Sequence, residues 1–430
     1  MLVPRNLRAD VEDALRVSRV VALVGPRQAG KSTLASQVAH DVLGTTLATF
    51  DDDATRRFAQ NDPAGFIASL RLPAALDEVQ RAPGVMLAIK RIVDQDTRPG
   101  RFLITGSADL RVLATIPDAL PGRVEYLNLW PFSQGELEGL VETFLDDLRT
   151  DQPPMLDTAP IGAAAYAERI AKGGFPESIG RTPRRRPGFF ASYLASLLGR
   201  DLSEVSGVHN PEALEPLLSL LAARSGSLLN LSGLGTELRL DGKTVASYIT
   251  LLQQLGLLIR LPAWFTNLGH RVVKTPKMHL ADSGLHVHLI GADADQLARD
   301  PDLAGPVLET FVVNELVRQS GWASSAPALH HFRSHTGGEV DLVLQWRDGK
   351  VAGVEVKSAA SVTQRDFAGL AVLRDRLGTR FVSGVVLYTG ERTILAGDRL
   401  WAVPLEGLWA RPRHRRDPRQ IRKTQLADSK

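Results

Sequence analysis

VVALVGPRQAGKSTLASQVA, residues Val20 to Ala39, decides how the chain begins. Five apolar residues in a row predict a buried strand, the next residues a loop, and the stretch from Lys31 a helix. Gly25, Gly30, Lys31 and Ser32 fit G-x-x-x-x-G-K-[ST] in the strand–loop–helix setting this motif requires. Its glycines let backbone N–H groups curl round a phosphate, and the helix start adds a positive dipole end. On that reading Gly25, Pro26, Arg27, Gln28, Ala29, Gly30, Lys31, Ser32 and Thr33 cradle a nucleotide. Lys31 reaches the β- and γ-phosphates, and the Ser32 hydroxyl ligates Mg2+. Arg27 faces either phosphate or solvent.

Working outward, LPAALDEVQRAP is an apolar strand ending in Asp77-Glu78. Asp77 is expected to bind the Mg2+ through water, and Glu78 to polarise the water that attacks the phosphate. RFLITGSADL is a further strand, ending at Thr105-Gly106-Ser107. A polar side chain there can sit between Asp77 and the γ-phosphate, which makes Ser107 the first sensor candidate and Thr105 the second. Asp51, Asp52 and Asp53 are expected to tile the rim of the site.

Together these segments resemble the AAA+ ATPases, in particular a bacterial and archaeal branch. The resemblance rests on Pro4-Arg5, Gly25–Thr33, Leu76–Gln80, Ile104–Ser107, and Gly122-Arg123 through Leu127, Leu129, Pro131-Phe132-Ser133 and Glu136. It spans nearly all of residues 1–150. It implies an ATPase using ATP and Mg2+, a small helical lid, and ring-like homo-oligomers. It also implies an uncharacterised C-terminal region with a restriction-nuclease-like module. Arg123 is then either an arginine finger acting on a neighbouring subunit's nucleotide or a structural ion-pair partner.

At 430 residues the chain exceeds a single core, so several domains are expected. With 44% hydrophobic and 23% charged residues it reads as a soluble globular protein, and its formal charge of +3 does not dictate a partner. The absence of cysteine excludes disulfides, thiolate metal sites and cysteine nucleophiles. The N-terminus lacks the apolar core of a signal peptide, and no apolar run reaches membrane-spanning length, so a cytoplasmic protein without membrane contact is expected. Basic runs occur at Arg184–Arg186 and in residues 409–430, the latter expected as a disordered tail that either touches nucleic acid or aids solubility.

Residues 151–210 read as a helical lid and linker. Residues 211–268 read as three helices and a strand, with Ser232 and Asp241 as N-caps and Gly256 as the stop of the third helix. This order resembles a winged helix-turn-helix. Val245, Ile249, Leu252 and Leu255 form the apolar stripe of its third helix, leaving Lys243, Thr244, Ser247 and Tyr248 to face a DNA groove or a protein surface.

From residue 269 to 408 the pattern is α/β: an apolar helix, hairpin strands, a helix and a buried strand. GEVDLVLQWRDGKVAGVEVK, Gly338 to Lys357, sets Asp341 in one strand and Glu355 with Lys357 in the next. Alternation turns residues 355 and 357 to one face, opposite Val354 and Val356. The order resembles the PD-(D/E)xK nuclease core. That resemblance implies Asp341 and Glu355, with Glu309 rather than Glu315 from the preceding helix, as ligands of Mg2+ or Mn2+, and Lys357 as the group activating water. His330, His331 and His335 either add ligands or belong to a polar loop. Two readings of the whole follow. One is an ATP-dependent protein acting on DNA with a metal-dependent nuclease-like domain. The other is a nucleotide-controlled DNA-binding, regulatory or defence switch in which that domain no longer cuts.

Overall fold

The computed structural model describes residues 2–107, 122–156, 161–200, 210–265, 275–333 and 338–410. His335 and residues 411–430 of the expected tail lie outside them.

The first part is a wholly parallel sheet of β1 (Val20–Gly25), β2 (Leu47–Thr49), β3 (Ala74–Asp77), β4 (Phe102–Ser107) and β5 (Val124–Asn128), ordered β2-β3-β4-β1-β5. Both faces of β1 are covered, which is why it reads as an unbroken apolar run. Val21 and Leu23 pack on one side with the helices Arg8–Val17 and Lys31–Asp41. Val20, Ala22 and Val24 pack on the other, with Phe66, Val85 and Ile89 from the helices Pro63–Ser69 and Val85–Gln95. Residues ending β1, β3 and β4 therefore meet at one edge, where parallel α/β sheets bind their ligands.

A helical unit follows. Helices Arg186–Arg200, Leu214–Ala223, Leu231–Leu238 and Gly242–Gln254 lead into β6 (Leu258–Leu261), which pairs antiparallel with β7 (Lys277–Leu280). One core holds Phe175, Phe190, Leu217, Ile249, Met278 and Leu285, so the packing does not break at the boundaries expected at 210/211 and 268/269. Asp241 caps the third helix through the N–H groups of Lys243 and Thr244, and Gly256 follows its end at φ +71°. For the helix Leu231–Leu238 the cap is Asn230, not Ser232: its Oδ1 accepts from Gly233 N–H and from the Ser232 hydroxyl, both at 2.9 Å. Tyr248 also departs from expectation. It lies three residues after Val245 and four before Leu252, on the buried stripe, and its hydroxyl accepts the Asn210 N–H at 2.9 Å.

The last part is a mixed sheet of β8 (Ala328–Arg333), β9 (Glu339–Gln345), β10 (Val351–Lys357), β11 (Phe381–Tyr388), β12 (Ile394–Gly397) and β13 (Leu400–Pro404), ordered β12-β13-β11-β10-β9-β8. Strands β10, β11 and β13 run parallel, and the other pairs are antiparallel. Helix Pro301–Gln319 covers one face and helix Ala368–Leu377 the other. Phe144 and Leu148, within the segment expected to close the first domain, are buried in the C-terminal core instead.

A buried ionic knot holds the three parts together. Arg318 donates to Glu315 and, at 3.3 Å, to Asp282. Glu315 accepts the Gln134 N–H at 2.9 Å, and Asp282 accepts the Gly174 N–H at 2.7 Å. Gln134 belongs to the first part, Gly174 and Asp282 to the helical unit, and Glu315 with Arg318 to the helix that covers the C-terminal sheet. Nearby, burial first and Glu315 second push the Glu142 carboxyl up to about 7.

Candidate functional sites

Gly25 has φ +146°, and a Cβ there would fall 2.1 Å from the Leu129 carbonyl oxygen, so only glycine fits where the loop leaves β1. The loop is tied from outside by Arg5, which donates to the Ala29 carbonyl at 2.9 Å and to Glu136 at 3.1 Å. Its guanidinium lies 4.4 Å from the centre of the Phe132 ring. Glu136 is itself fixed, closing a capping box with Ser133. Pro4-Arg5 and the PFS…E stretch, far apart in sequence, thus brace the same loop.

Lys31 is buried and donates to the carbonyls of Gly25 at 3.0 Å and Pro26 at 2.8 Å. The Ser32 hydroxyl donates to Asp77 Oδ1 at 2.9 Å. Thr105, buried in β4, donates to the same carboxylate, and Thr49 donates to its other oxygen at 3.3 Å. Glu78 turns out of β3 at φ +57°; its N–H donates to Thr105 Oγ1 at 3.2 Å and its carboxylate accepts from Gln80. Thr105 therefore positions both acids. Ser107 ends β4 in register with Gly25. A hydroxyl, a carboxylate and a buried lysine of the loop side by side suit Mg2+ and a triphosphate.

Arg27, Gln28, Gly30, Lys31, Ser32, Thr33 and Glu78 line a cavity of about 980 Å3. This is large enough for a nucleotide. Its opposite wall is Pro176, Ile179, Arg181, Phe189 and Tyr193 of the helical unit, none of which sequence reading had singled out. Arg181 lies over the Phe189 ring, 5.4 Å from its centre. Arg123 is elsewhere. It precedes β5, its carbonyl accepts the Val20 N–H, and its guanidinium pairs with Asp94. That places it at the opposite end of the sheet from its own chain's phosphate loop, as the parallel β1–β5 register requires.

Burial lowers the Lys31 pKa to about 8, partly offset by Glu78 and Asp77. A bound phosphate raises it again, so above pH 8 nucleotide binding takes up a proton. We expect ATP affinity to fall from pH 8 to 9.5, by up to about tenfold per unit. Calorimetry in buffers of different ionisation enthalpy checks it: a proton uptake that vanishes in Lys31→Arg is the expected result.

In the last part Asp341 and Glu355 face each other where the β9–β10 ladder ends at Val354 and Leu342. Asp341 Oδ2 accepts the Val356 N–H at 2.9 Å, and Lys357 donates to Glu355 at 2.8 Å. Glu309 approaches Asp341 through Lys277, whose Nζ lies 3.0 Å from Glu309 and 3.6 Å from Asp341. Glu315 lies in the ionic knot instead. Burial first, and Asp341 second, raise Glu309 to about 8 and Glu355 to about 7. Burial also raises Asp341. Burial opposes the charge on Lys277, but Glu309 and Asp341 outweigh it and lift its pKa. Among the described residues no group of three or more His, Asp or Glu side chains converges as a metal site would, and the Lys277 ammonium stands between Glu309 and Asp341. His331 is half-tied to the Thr275 carbonyl at 3.2 Å. The one advance signal of Lys277 was a lysine inside the apolar strand pattern of TPKMHLAD, since a buried charge requires partners.

The parallel sheet, phosphate loop and paired acids define an AAA-type ATPase domain, and an AAA domain family matches residues 17–138. Two domains of unknown function match the rest: DUF8612 over residues 163–296 and DUF4143 over residues 304–408. An uncharacterised protein of Mycobacterium tuberculosis is 30% identical over 410 residues, which are 94% of this chain and 83% of that protein. One of Mycobacterium bovis matches to the same extent. An uncharacterised protein of Haemophilus influenzae is 24% identical over 254 residues, 57% of each chain. The chain belongs to the family of these mycobacterial proteins. Among the described residues no helix is long and apolar enough to cross a membrane.

Proposed function

We propose that the protein is an ATP-hydrolysing switch that controls how its helical and C-terminal parts hold DNA. The carrying observation is the nucleotide-sized cavity whose two walls come from the phosphate loop and from the helical unit. A second contact joins the same units. Gly256, at the end of the third helix, lies so close to the loop that a Cβ there would stand 2.8 Å from Pro26 Cγ. A γ-phosphate drawing Lys31 off the Gly25 and Pro26 carbonyls moves the loop against that helix. Mg2+, where bound, is held by Ser32 and Asp77 and supplies neutralising charge at the phosphates. Glu78 orients the attacking water, and Thr105, with Ser107 beside it at the strand end, senses the γ-phosphate through Asp77.

DNA as partner is supported by the winged-helix-like order of helices, β6 and β7, with Lys243 and Ser247 exposed on the third helix. The C-terminal part is read as a nuclease-like fold that holds rather than cuts, because Lys277 stands among its carboxylates. The mycobacterial and DUF matches are compatible with either reading. Oligomers, with Arg123 reaching a neighbour's nucleotide, belong to the same proposal.

Fluorescence anisotropy of a labelled duplex tests it. Affinity is expected to differ at least several-fold between ADP and a non-hydrolysable ATP analogue, and the difference to disappear in Lys31→Ala. Equal affinity in both nucleotide states sinks the proposal.

A further inference from the structure

The group at the centre of the C-terminal acidic cluster is an ammonium. Lys277 Nζ lies 3.0 Å from Glu309 Oε1, 3.1 Å from Glu339 Oε1 and 3.6 Å from Asp341 Oδ1. The side chain is 4% exposed and its strand is held in register by β6, Leu261 opposite Lys277. Glu309 is walled in from behind: a Cβ on Gly226 would come within 2.9 Å of its Oε2. The remaining charges are spoken for. Lys357 pairs with Glu355, and Arg333 lies 3.8 Å from Glu339.

A hard divalent cation draws oxygen ligands to a common point at roughly 2.0–2.6 Å. Here oxygens of Glu309, Glu339 and Asp341 instead surround the ammonium at hydrogen-bond and ion-pair distances, while Glu355 of the expected ligand set faces Lys357. His279, 3.8 Å from Glu309, is buried, and burial with the adjacent Lys277 charge holds its ring neutral. A metal at this place would have to displace a buried lysine whose backbone is fixed in a two-stranded ladder.

We propose that Lys277 is the resident cation of this cluster, standing where the nuclease-like fold would place a divalent metal and tying β7 to β9 and to helix Pro301–Gln319. The inference rests on the holding reading of the C-terminal part and is independent of the ATPase. The carboxylates then serve as an interdomain clasp. Asp341 and Glu355 keep their cross-strand hydrogen bonds but have no metal to present to a phosphodiester.

Mn2+ uptake by the nucleotide-free full chain, followed by electron paramagnetic resonance, tests this separately from DNA binding. Wild type and Asp341→Asn are expected to take up the same amount, because the cluster contributes no site. Lys277→Met, with Lys277→Gln as its milder companion, is expected to gain one Mn2+ per chain, lost again when Asp341→Asn is added. Wild-type uptake that falls on Asp341→Asn overturns the proposal, and that comparison stands even if neither Lys277 variant folds. A folded Lys277 variant that gains no Mn2+ overturns it as well.

Discussion

Glu78→Gln is expected to bind ATP as wild type does and to hydrolyse it at least about 100-fold more slowly. The backbone of residue 78 is pinned by its N–H bond to Thr105 Oγ1, and Thr105 is pinned in turn to Asp77. Glutamine keeps the side chain's size and its contact with Gln80 but removes the group able to polarise water. Lys31 and Ser32 bond to Gly25, Pro26 and Asp77, so the hydrogen bonds of the phosphate cradle stay in place. Losing the Glu78 charge lets burial lower the Lys31 pKa further, so the comparison of binding is made at neutral pH or below. Lys31→Ala separates the two roles. It removes charge-assisted bonds to phosphate, each about 1.5–3 kcal/mol, and so weakens binding about tenfold or more. Phosphate release and nucleotide titration on the same preparations check both. Normal turnover in Glu78→Gln would show that another group orients the water.

What was legible in the sequence followed local rules. The buried run Val20–Val24, the loop and the Asp77-Glu78 strand end are each written in a few neighbouring residues, and the sheet brings them to one edge. Tyr248 was misplaced because a hydroxyl-bearing ring counted as polar, although its spacing from Val245 and Leu252 puts it on the buried stripe. Arg123 follows the sensor strand in chain order, but topology places it before β5 and hence at the far end of the sheet. The roles of Lys277 and of Arg5, which the sequence shows only as part of the Pro4-Arg5 motif, are hidden for one reason. Their partners are Glu309, Glu339 and Asp341 in one case and Ala29 and Glu136 in the other, all on elements remote in sequence. Phe189 and Tyr193 read as ordinary helix core in the sequence, and only the fold brings them to the cavity wall.

Arg318→Met is expected to destabilise the chain by about 3–5 kcal/mol, the effect of breaking a buried ion pair from one side. Arg318, Glu315 and Asp282 are each at most 3% exposed, so the carboxylates left behind have no water to turn to. Asp282 retains the N–H groups of Gly174 and Leu285, whereas among the described residues Glu315 keeps only that of Gln134. The loss therefore falls mainly on Glu315, and Glu315→Gln added to Arg318→Met is expected to recover part of it. The pH dependence has a definite sign. Burial already holds the Glu315 pKa above the ordinary glutamate value, against the pull of Arg318, and removing Arg318 raises it further. A carboxyl with a raised folded pKa binds more protons folded than unfolded, so its stability is present in acid and lost as pH rises. Arg318→Met should thus lie nearest to wild type near pH 5 and furthest from it near pH 8. Thermal melts across that range check it. A loss independent of pH would assign the effect to packing of the arginine stem and not to its charge. Because this knot joins all three parts of the chain, the destabilised variant should also lose the nucleotide dependence proposed for DNA binding at temperatures where it is still folded. That outcome would locate the coupling between the ATP site and the C-terminal sheet in these buried charges.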